Sequence, residues 1–194
     1  VNKIDISAFE GCVSLTSVTI PNSVTELGAC AFSGCTNLSS ISLGTGLKTL
    51  GYAIFEECTS LKTLTLPAVT SSSRNPNSQT LYTDKYHSDY DRIYGYYRDV
   101  GALGGSYIEK VTIADGATVV PAYLFSGAAL LESVTIPDSV LEIGSYAFYN
   151  CKSLTSVIIP DKVRTIGYAA FVNCNLLANI TIGSLVNKID ISPF

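Results

Sequence analysis

The sequence has no methionine, a single histidine and few charges, since only 14% of its 194 residues are Asp, Glu, Lys or Arg. Its 12 Lys and Arg residues are scattered without a basic run, and the net charge is −4. The chain therefore lacks the electropositive stretch that nucleic acid or an anionic membrane surface would attract. No uninterrupted apolar run approaches the roughly 18 residues of a membrane-spanning helix, so we predict no membrane insertion.

Apolar residues are nevertheless abundant, at 47% of the chain, and they recur with a step of 23 residues. The step is clearest for phenylalanine, which occurs at Phe9, Phe32, Phe55, Phe125, Phe148, Phe171 and Phe194. A short apolar alternation recurs with it, for example at Val18/Ile20, Val134/Ile136 and Val157/Ile159. A fixed period of this length is the signature of a solenoid, in which each coil buries its apolar face only against its neighbours.

Six cysteines are present, which in a small secreted protein would suggest a disulfide framework. Five of them, however, share one position of the repeat: Cys12, Cys35, Cys58, Cys151 and Cys174. Adjacent rungs of a parallel stack lie about 4.8 Å apart, and side chains that point the same way suit a disulfide poorly. We therefore predict buried free thiols. Zinc is not indicated, because no C-x-x-C pair exists and His87 is far away in register.

The repeats are interrupted once, between Leu66 and Ile113. This step is 47 residues, but the expected middle strand near residues 86–89 is polar and cannot lie in the core. We therefore expect strands 64–66 and 111–113 to be neighbours, with the additional residues extruded between them. Ala102-Leu103 and Gly105 fit the Ala-Phe and Cys positions of the repeat weakly. The predicted organisation is one solenoid over residues 1–194, interrupted by a Tyr-rich insertion at about 68–107.

The repeated phrase is A-F-x-x-C followed by L-x-x-V-x-I-P-x-x-V, which here runs from Ala147 to Val163. It resembles the leucine-rich repeat, and more narrowly the BspA-like (Treponema pallidum-type) class. The resemblance implies a right-handed α/β solenoid with 23-residue repeats, a parallel sheet on the concave side, and short helices or turns on the convex side. Gly28 and Gly51 would allow a tight turn into the segment that carries the aromatic residue. The resemblance also implies bacterial or protozoan surface proteins that adhere to host molecules.

The insertion is the first candidate binding surface, because seven of the twelve tyrosines lie between residues 82 and 107. Tyr combined with Ser, Asn, Asp and Arg is typical of adaptable binding surfaces, and a spacing of four would place several rings on one face of a helix. The candidate residues are Tyr82, Tyr86, Tyr90, Arg92, Tyr94, Tyr96 and Tyr97. Two interpretations stay open: the rings bind a partner, or they pack the insertion onto the flank of the solenoid.

The same insertion contains His87 with Asp84, Asp89 and Asp91 close by in sequence. A catalytic histidine needs a nucleophile within hydrogen-bond reach and an orienting partner, and the sequence specifies neither. The Asp residues lack the full spacing and the distal Glu of a calcium-binding loop. We therefore predict a solvated polar loop, with no catalytic residue, no metal and no cofactor.

The outward side chains of the repeated strands form the second candidate surface. Side chains alternate along a strand, so the residues flanking the buried pair point outward on the concave side. They are almost all hydroxyl-bearing and uncharged, which would favour extended polar partners such as glycans or a peptide edge. The same pattern also suits any exposed strand. The candidate residues are Thr19, Ser42, Thr65, Thr112 and Thr135.

With the resemblance, these surfaces predict a non-enzymatic cell-surface or secreted binding protein, located outside the cell. Its expected partners are host extracellular-matrix or cell-surface proteins, or glycans. The alternative is a passive structural spacer within a longer surface repeat array. The sequence starts in mid-repeat and neither end shows a polar capping repeat, which a free solenoid normally requires. We therefore expect either a piece cut from a longer array or ends covered by a neighbouring molecule, including end-to-end self-contact.

Overall fold

The computed structural model describes residues 1–68 and 101–190, and in these residues it contains fourteen β-strands and no helix. Two strands alternate along each coil, a longer one of three or four residues and a shorter one of two residues. Both recur with the 23-residue step, which confirms the solenoid predicted from the sequence. The result is a parallel-strand solenoid of about seven coils.

The longer strands make up the first face of the solenoid. They are β2 (Ser17–Thr19), β4 (Ser40–Ser42), β6 (Thr63–Leu66), β7 (Lys110–Ile113), β9 (Ser133–Thr135), β11 (Ser156–Ile159) and β13 (Asn179–Ile182). Backbone pairing joins β2 to β4, β6 to β7 to β9, and β11 to β13, all in parallel. The groups are continuous in space, because β4 also contacts β6 and β9 contacts β11.

The shorter strands form a second sheet on another side of each coil. They are β1 (Lys3–Ile4), β3 (Glu26–Leu27), β5 (Thr49–Leu50), β8 (Val119–Val120), β10 (Glu142–Ile143), β12 (Thr165–Ile166) and β14 (Lys188–Ile189). Within the described residues they pair in parallel as two groups, β1 to β5 and β8 to β14. The sequence pattern does not reveal this sheet, because a two-residue strand is too short to show an alternation.

The two longer strands on either side of the interruption are neighbours, as the sequence predicts. β6 pairs with β7 in register, so that Leu64 lies opposite Val111 although 47 residues separate the two strands' equivalent positions. Residues 101–107 already belong to the coil, because Ala102 and Leu103 are buried in the core. The predicted boundary of the insertion at residue 107 therefore lies within a coil, and residues 69–100 lie outside the described part of the chain.

One assignment within this coil is wrong. Ser106, rather than Gly105, occupies the cysteine position, because its amide bonds to the Leu103 carbonyl as the Cys58 amide bonds to that of Phe55. Gly105 has a φ of +68° and corresponds to Gly34, with a φ of +70°. The position before the cysteine is thus a left-handed turn residue, a conformation that glycine adopts at no steric cost.

A ladder of phenylalanine rings fills the interior. Phe125 and Phe148 stack with ring centroids 4.8 Å apart, and Phe148 and Phe171 follow at 5.0 Å. Phe32 stacks at 5.2 Å on Phe9 in the same way in the first coils. Leu103 takes the aromatic position in the interrupted coil and is 1% exposed. Each ring therefore depends on the coils above and below it for its burial.

The cysteine ladder lies beside these rings, and the cysteines of the described residues are free, as predicted. Four thiols of the ladder are within hydrogen-bond distance of the carbonyl of the phenylalanine one coil back. The Sγ–O distances are 3.1 Å for Cys35 to Phe9, 3.1 Å for Cys58 to Phe32, 3.2 Å for Cys151 to Phe125 and 3.1 Å for Cys174 to Phe148. The thiols thus act as small core residues with a weak donor directed at the neighbouring coil.

Burial makes these thiols poor acids. It raises the pKa of the Cys58 thiol to about 12 and that of Cys174 to about 11. Burial also raises the pKa of Cys30 to about 12, and the negative charges of Glu56 and Glu10 add to the effect. Cys12, in contrast, is exposed, so the prediction of a buried thiol is wrong at this position, and Cys174 is only partly buried.

Turns connect the two sheets where short helices or turns were expected. Glycine is needed at the start of these turns because adjacent coils approach closely, and not for turn geometry as the sequence suggests. A Cβ on Gly28 would lie 2.5 Å from the Asp5 carbonyl carbon, and one on Gly51 would lie 2.2 Å from the Ala29 nitrogen. Neither glycine has a positive φ. Without a side chain at these two positions, the backbone of one coil can pack directly against the backbone of the next.

We predict that Phe148→Ala lowers the free energy of unfolding by about 3–5 kcal/mol, because it leaves a cavity between two stacked rings. Urea denaturation followed by circular dichroism measures the change. Phe148→Leu is the matched control and should cost less, since Leu103 fills the equivalent position. Phe9→Ala should also cost less, since Phe9 is 41% exposed. Equal losses for the three variants would contradict the ladder.

We predict that Cys12 alone reacts quickly with a thiol reagent such as Ellman's reagent at mildly alkaline pH, because it is exposed while the other thiols are protonated by burial. All six cysteines should react once the chain is unfolded. Cys12→Ser is the control and should remove the fast phase. Fast reaction of Cys35, Cys58 or Cys151 in the folded chain would contradict the burial of the ladder.

Candidate binding surfaces

The first face of the solenoid presents an exposed layer of side chains, which we call the hydroxyl face. Along β6, β7 and β11 exposed and buried side chains alternate strictly, whereas in β13 the inward Ile180 is half-buried and Ile182 is exposed. The outward residues form two rows that run across the coils. The first row is Ser17, Ser40, Thr63, Lys110, Ser133, Ser156 and Asn179, and the second is Thr19, Ser42, Thr65, Thr112, Thr135, Ile158 and Thr181.

The strand register aligns the sequence-predicted residues in the second row. Thr19 lies opposite Ser42, and Thr112 lies between Thr65 and Thr135, opposite both. All five side chains are exposed. Paired parallel strands lie about 4.8 Å apart, so the row repeats at the spacing of the coils. The structure thus brings these five residues together as one surface.

The hydroxyl face is almost uncharged, because Lys110 is the one charged residue in its two rows. At the margin of the face, the Lys62 ammonium lies 3.0 Å from a Glu109 carboxylate oxygen and 5.4 Å from the centre of the Tyr107 ring. Lys62 is thus partly neutralised by its neighbours. Ile158, which is 69% exposed, adds a single apolar contact point to the second row.

The other predicted binding residues, Tyr82, Tyr86, Tyr90, Arg92, Tyr94, Tyr96 and Tyr97, lie outside the described residues. The same is true of His87, Asp84, Asp89 and Asp91. Their proposed roles stay predictions.

A second aromatic group, which was not predicted from the sequence, lies on the turns that follow the second sheet. We call Tyr123, Tyr146, Tyr149 and Tyr168 the Tyr cluster. Tyr123 stacks on Tyr146 at 4.8 Å between ring centroids, with 12° between the ring planes. Tyr149 and Tyr168 meet Tyr146 edge to face, at 5.6 Å and 5.4 Å. The 23-residue step from Tyr123 to Tyr146 is a signal that could have revealed the stacked pair.

The stacked pair lies at a position of the repeat whose backbone is also left-handed in other coils. Tyr123 has a φ of +60° and Tyr146 a φ of +57°, in the left-handed region that bulky residues rarely occupy. Such a conformation costs about 1–3 kcal/mol per residue and persists only where the surroundings enforce it. The same position in other coils holds small residues, namely Ser7, Cys30, Ala53 and Ala169. The solenoid itself therefore does not require an aromatic residue there.

The described residues give little indication of a catalytic or metal-binding site. Burial, followed by the charges of Glu57 and Glu10, raises the pKa of the Glu56 carboxyl. Yet residues 1–68 and 101–190 contain no group of three or more His, Cys, Asp or Glu side chains that could bind a metal ion. A cavity between Leu50, Leu66 and Ile113 is lined by apolar residues alone, so it offers no polar group to orient a substrate.

No helix within the described ranges has the length and apolar character to span a membrane.

Comparison with solved structures finds similar solenoids. A T. pallidum leucine-rich repeat protein matches 97% of this chain over 66% of its own, with 27% identity and a TM-score of 0.52. A leucine-rich cell surface protein from Faecalibacterium prausnitzii matches 93% of this chain over 42% of its own, with 30% identity and a TM-score of 0.54. This chain thus spans less than two thirds of either structure.

The comparison with curated proteins finds no match. The family model described as the BspA type leucine-rich repeat region matches residues 1–82 and 101–194, in six copies. The matched residues include the Phe and Cys ladders and both kinds of strand. The chain therefore belongs to the BspA-type leucine-rich repeat family.

Proposed function

We propose that the chain is a non-enzymatic, extracellular binding segment of a cell-surface or secreted protein, with the hydroxyl face as its main contact surface. The observation that carries the proposal is the pair of in-register outward rows, which are exposed on seven successive longer strands. Membership of a repeat family with surface-protein relatives supports the location. The proposed partners are host extracellular-matrix proteins, cell-surface proteins or glycans.

A flat face with almost no charge suits an extended partner that makes many similar contacts. Each outward Ser or Thr can both donate and accept a hydrogen bond. Individual hydrogen bonds contribute little net free energy, so affinity must come from the number of coils that a partner covers. Lys110 provides the one fixed charge and Ile158 the one large apolar contact, and both would set the register of the partner on the face.

We predict that Thr112→Glu weakens binding to immobilised matrix proteins or glycans by about tenfold or more, because it places a negative charge at the centre of an almost uncharged face. Surface plasmon resonance with the full chain measures the change. Thr45→Glu is the matched control, because Thr45 is equally an exposed threonine but lies in the turn after β4. Asp138 and Asp161 show that an acid is tolerated at the equivalent position.

Both variants should keep the thermal midpoint of the parent chain. Equal binding by the parent and Thr112→Glu would remove the hydroxyl face from the proposal. If neither variant nor the parent bound any matrix protein or glycan, the passive spacer would become the better account of the chain.

The Tyr-rich insertion is a second proposed contact surface, supported by its composition alone. We predict that replacing residues 71–94 by a short Gly-Ser linker reduces binding to the same panel while the thermal midpoint changes little. Measuring the deletion, Thr112→Glu and their combination in the same assay distinguishes the contributions of the two surfaces to binding. Unchanged binding by the deletion variant would leave the hydroxyl face as the sole proposed surface.

A further inference from the structure

The same five residues, Val-Asn-Lys-Ile-Asp, occur at residues 1–5 and again at residues 186–190. Both segments carry a strand of the second sheet, but they contact coils on opposite sides. β1, in residues 1–5, pairs with β3 of the following coil, whereas β14, in residues 186–190, pairs with β12 of the preceding coil. The molecule therefore shows how each of the two sides of this segment packs against a coil.

Backbone hydrogen bonds hold the following coil on the segment at the start of the chain. The Thr25 amide and hydroxyl both donate to the Asn2 carbonyl, at 2.8 Å and 2.9 Å. The Gly28 amide donates to the Ile4 carbonyl at 2.8 Å. Residues 186–190 have the same sequence and the same place in the coil, so their carbonyl groups can accept the same bonds from an identical coil.

The charges of the two segments match in the same way. The Lys3 ammonium lies 3.4 Å from an Asp5 carboxylate oxygen and 3.1 Å from one of Glu26 in the following coil. Lys188 corresponds to Lys3, and its ammonium lies 3.0 Å from a carboxylate oxygen of Asp190, the counterpart of Asp5. A Glu26 side chain from a second copy of the chain would complete the arrangement at Lys188.

The coil that contains β13 and β14 exposes apolar side chains at two core positions of the repeat. Ile182 is 41% exposed and Ile189 is 45% exposed. Their equivalents in the preceding coil, Ile159 and Ile166, are 1% and 0% exposed. A further coil that packs on this side would bury both side chains and gain the free energy of that burial.

A second copy fits this side in register when residues 186–190 of one copy lie where residues 1–5 of the other copy lie. Nine residues before each paired position, Ser17 of the second copy then comes opposite Asn179, as Ser156 does within one chain. β2 of the second copy thus continues the sheet beyond β13. Both rows of the hydroxyl face continue from one copy to the next.

We propose that the chain associates head to tail with a second copy of itself, and that residues 186–190 of one copy replace residues 1–5 of the next against β3. Four of the five replaced residues are exposed, and the incoming residues restore their contacts one for one. The net gain comes from the pairing of β13 with β2 and from the burial of Ile182 and Ile189. Since this interface is heterologous, it produces an open series of oligomers.

Sedimentation velocity of the full chain over a range of concentrations tests the proposal, and the parent should form dimers and longer oligomers as its concentration rises. Lys188→Glu should weaken association several-fold, because it brings a carboxylate to Glu26 of the second copy. Lys3→Glu should strengthen association several-fold, because the same repulsion then loosens residues 1–5 within each copy. The double variant should associate as the parent does.

Ile189→Asp should weaken association about tenfold or more, because the exchange would bury the new carboxylate against Leu27 of the second copy. Leu141→Asp is the matched control. Leu141 is 42% exposed, close to the 45% of Ile189, but it lies in a coil that is covered on both sides. It should leave association unchanged. Circular dichroism melts confirm that each variant is folded.

The Cys12 thiol gives a second measurement, because the same register places Cys12 of the second copy next after Cys174 in the cysteine ladder. Cys12 is exposed in the single chain. Its reaction with Ellman's reagent should therefore slow as the oligomers form. In Ile189→Asp the reaction should stay fast at concentrations where it has slowed in the parent.

Three results would each overturn the proposal. The first is a parent chain that stays monomeric at every concentration. The second is weaker association of Lys3→Glu, which would show that residues 1–5 hold the copies together and are not replaced. The third is a set of oligomers in which Cys12 reacts as fast as in the dilute chain, which would place the contact elsewhere on the solenoid.

Discussion

The structure depends on placing each coil directly over the previous one in strict 23-residue register. The register aligns Leu64 with Val111 and Val111 with Val134 across paired strands, and it stacks Phe148 between Phe125 and Phe171. A single coil leaves its ring and its thiol exposed on two sides. The free energy gained by burial therefore comes from contacts between adjacent coils. The close backbone approach at the glycines and the thiol–carbonyl contacts of the cysteines are consequences of the same stacking.

The same register creates the outer surfaces. A side chain that points outward from one strand has counterparts in the coils above and below it. A residue type that recurs at one position of the repeat therefore forms a row across the surface. This explains why the hydroxyl face is extended and chemically uniform, and why it lacks a pocket with convergent polar groups. Such a surface suits recognition by many weak contacts. It differs from a catalytic site, which needs a few groups held at one point.

Specific features arise where the repetition is imperfect. Leu103 and Ser106 replace the ring and the thiol in the interrupted coil, next to residues 69–100. Tyr123 and Tyr146 replace small residues at a left-handed position, and this substitution produces an aromatic cluster on a side that is otherwise made of turns. Departures from the repeat are therefore the places where the surface of one coil differs from that of the next, whereas the regular positions maintain the stack and the uniform hydroxyl face.

The sequence by itself determined the period, the neighbouring positions of β6 and β7, the free state of the cysteines and the five aligned hydroxyl residues. These follow from two fixed spacings, the residues per coil and the alternation of a strand, which are visible in one dimension. Only the tertiary structure decided the second sheet, the alignment of Ser106 with the cysteines, the reason for Gly28 and Gly51, and the Tyr cluster. Each of these depends on how closely, and at what backbone angle, one coil meets the next, and such distances are set by packing between coils.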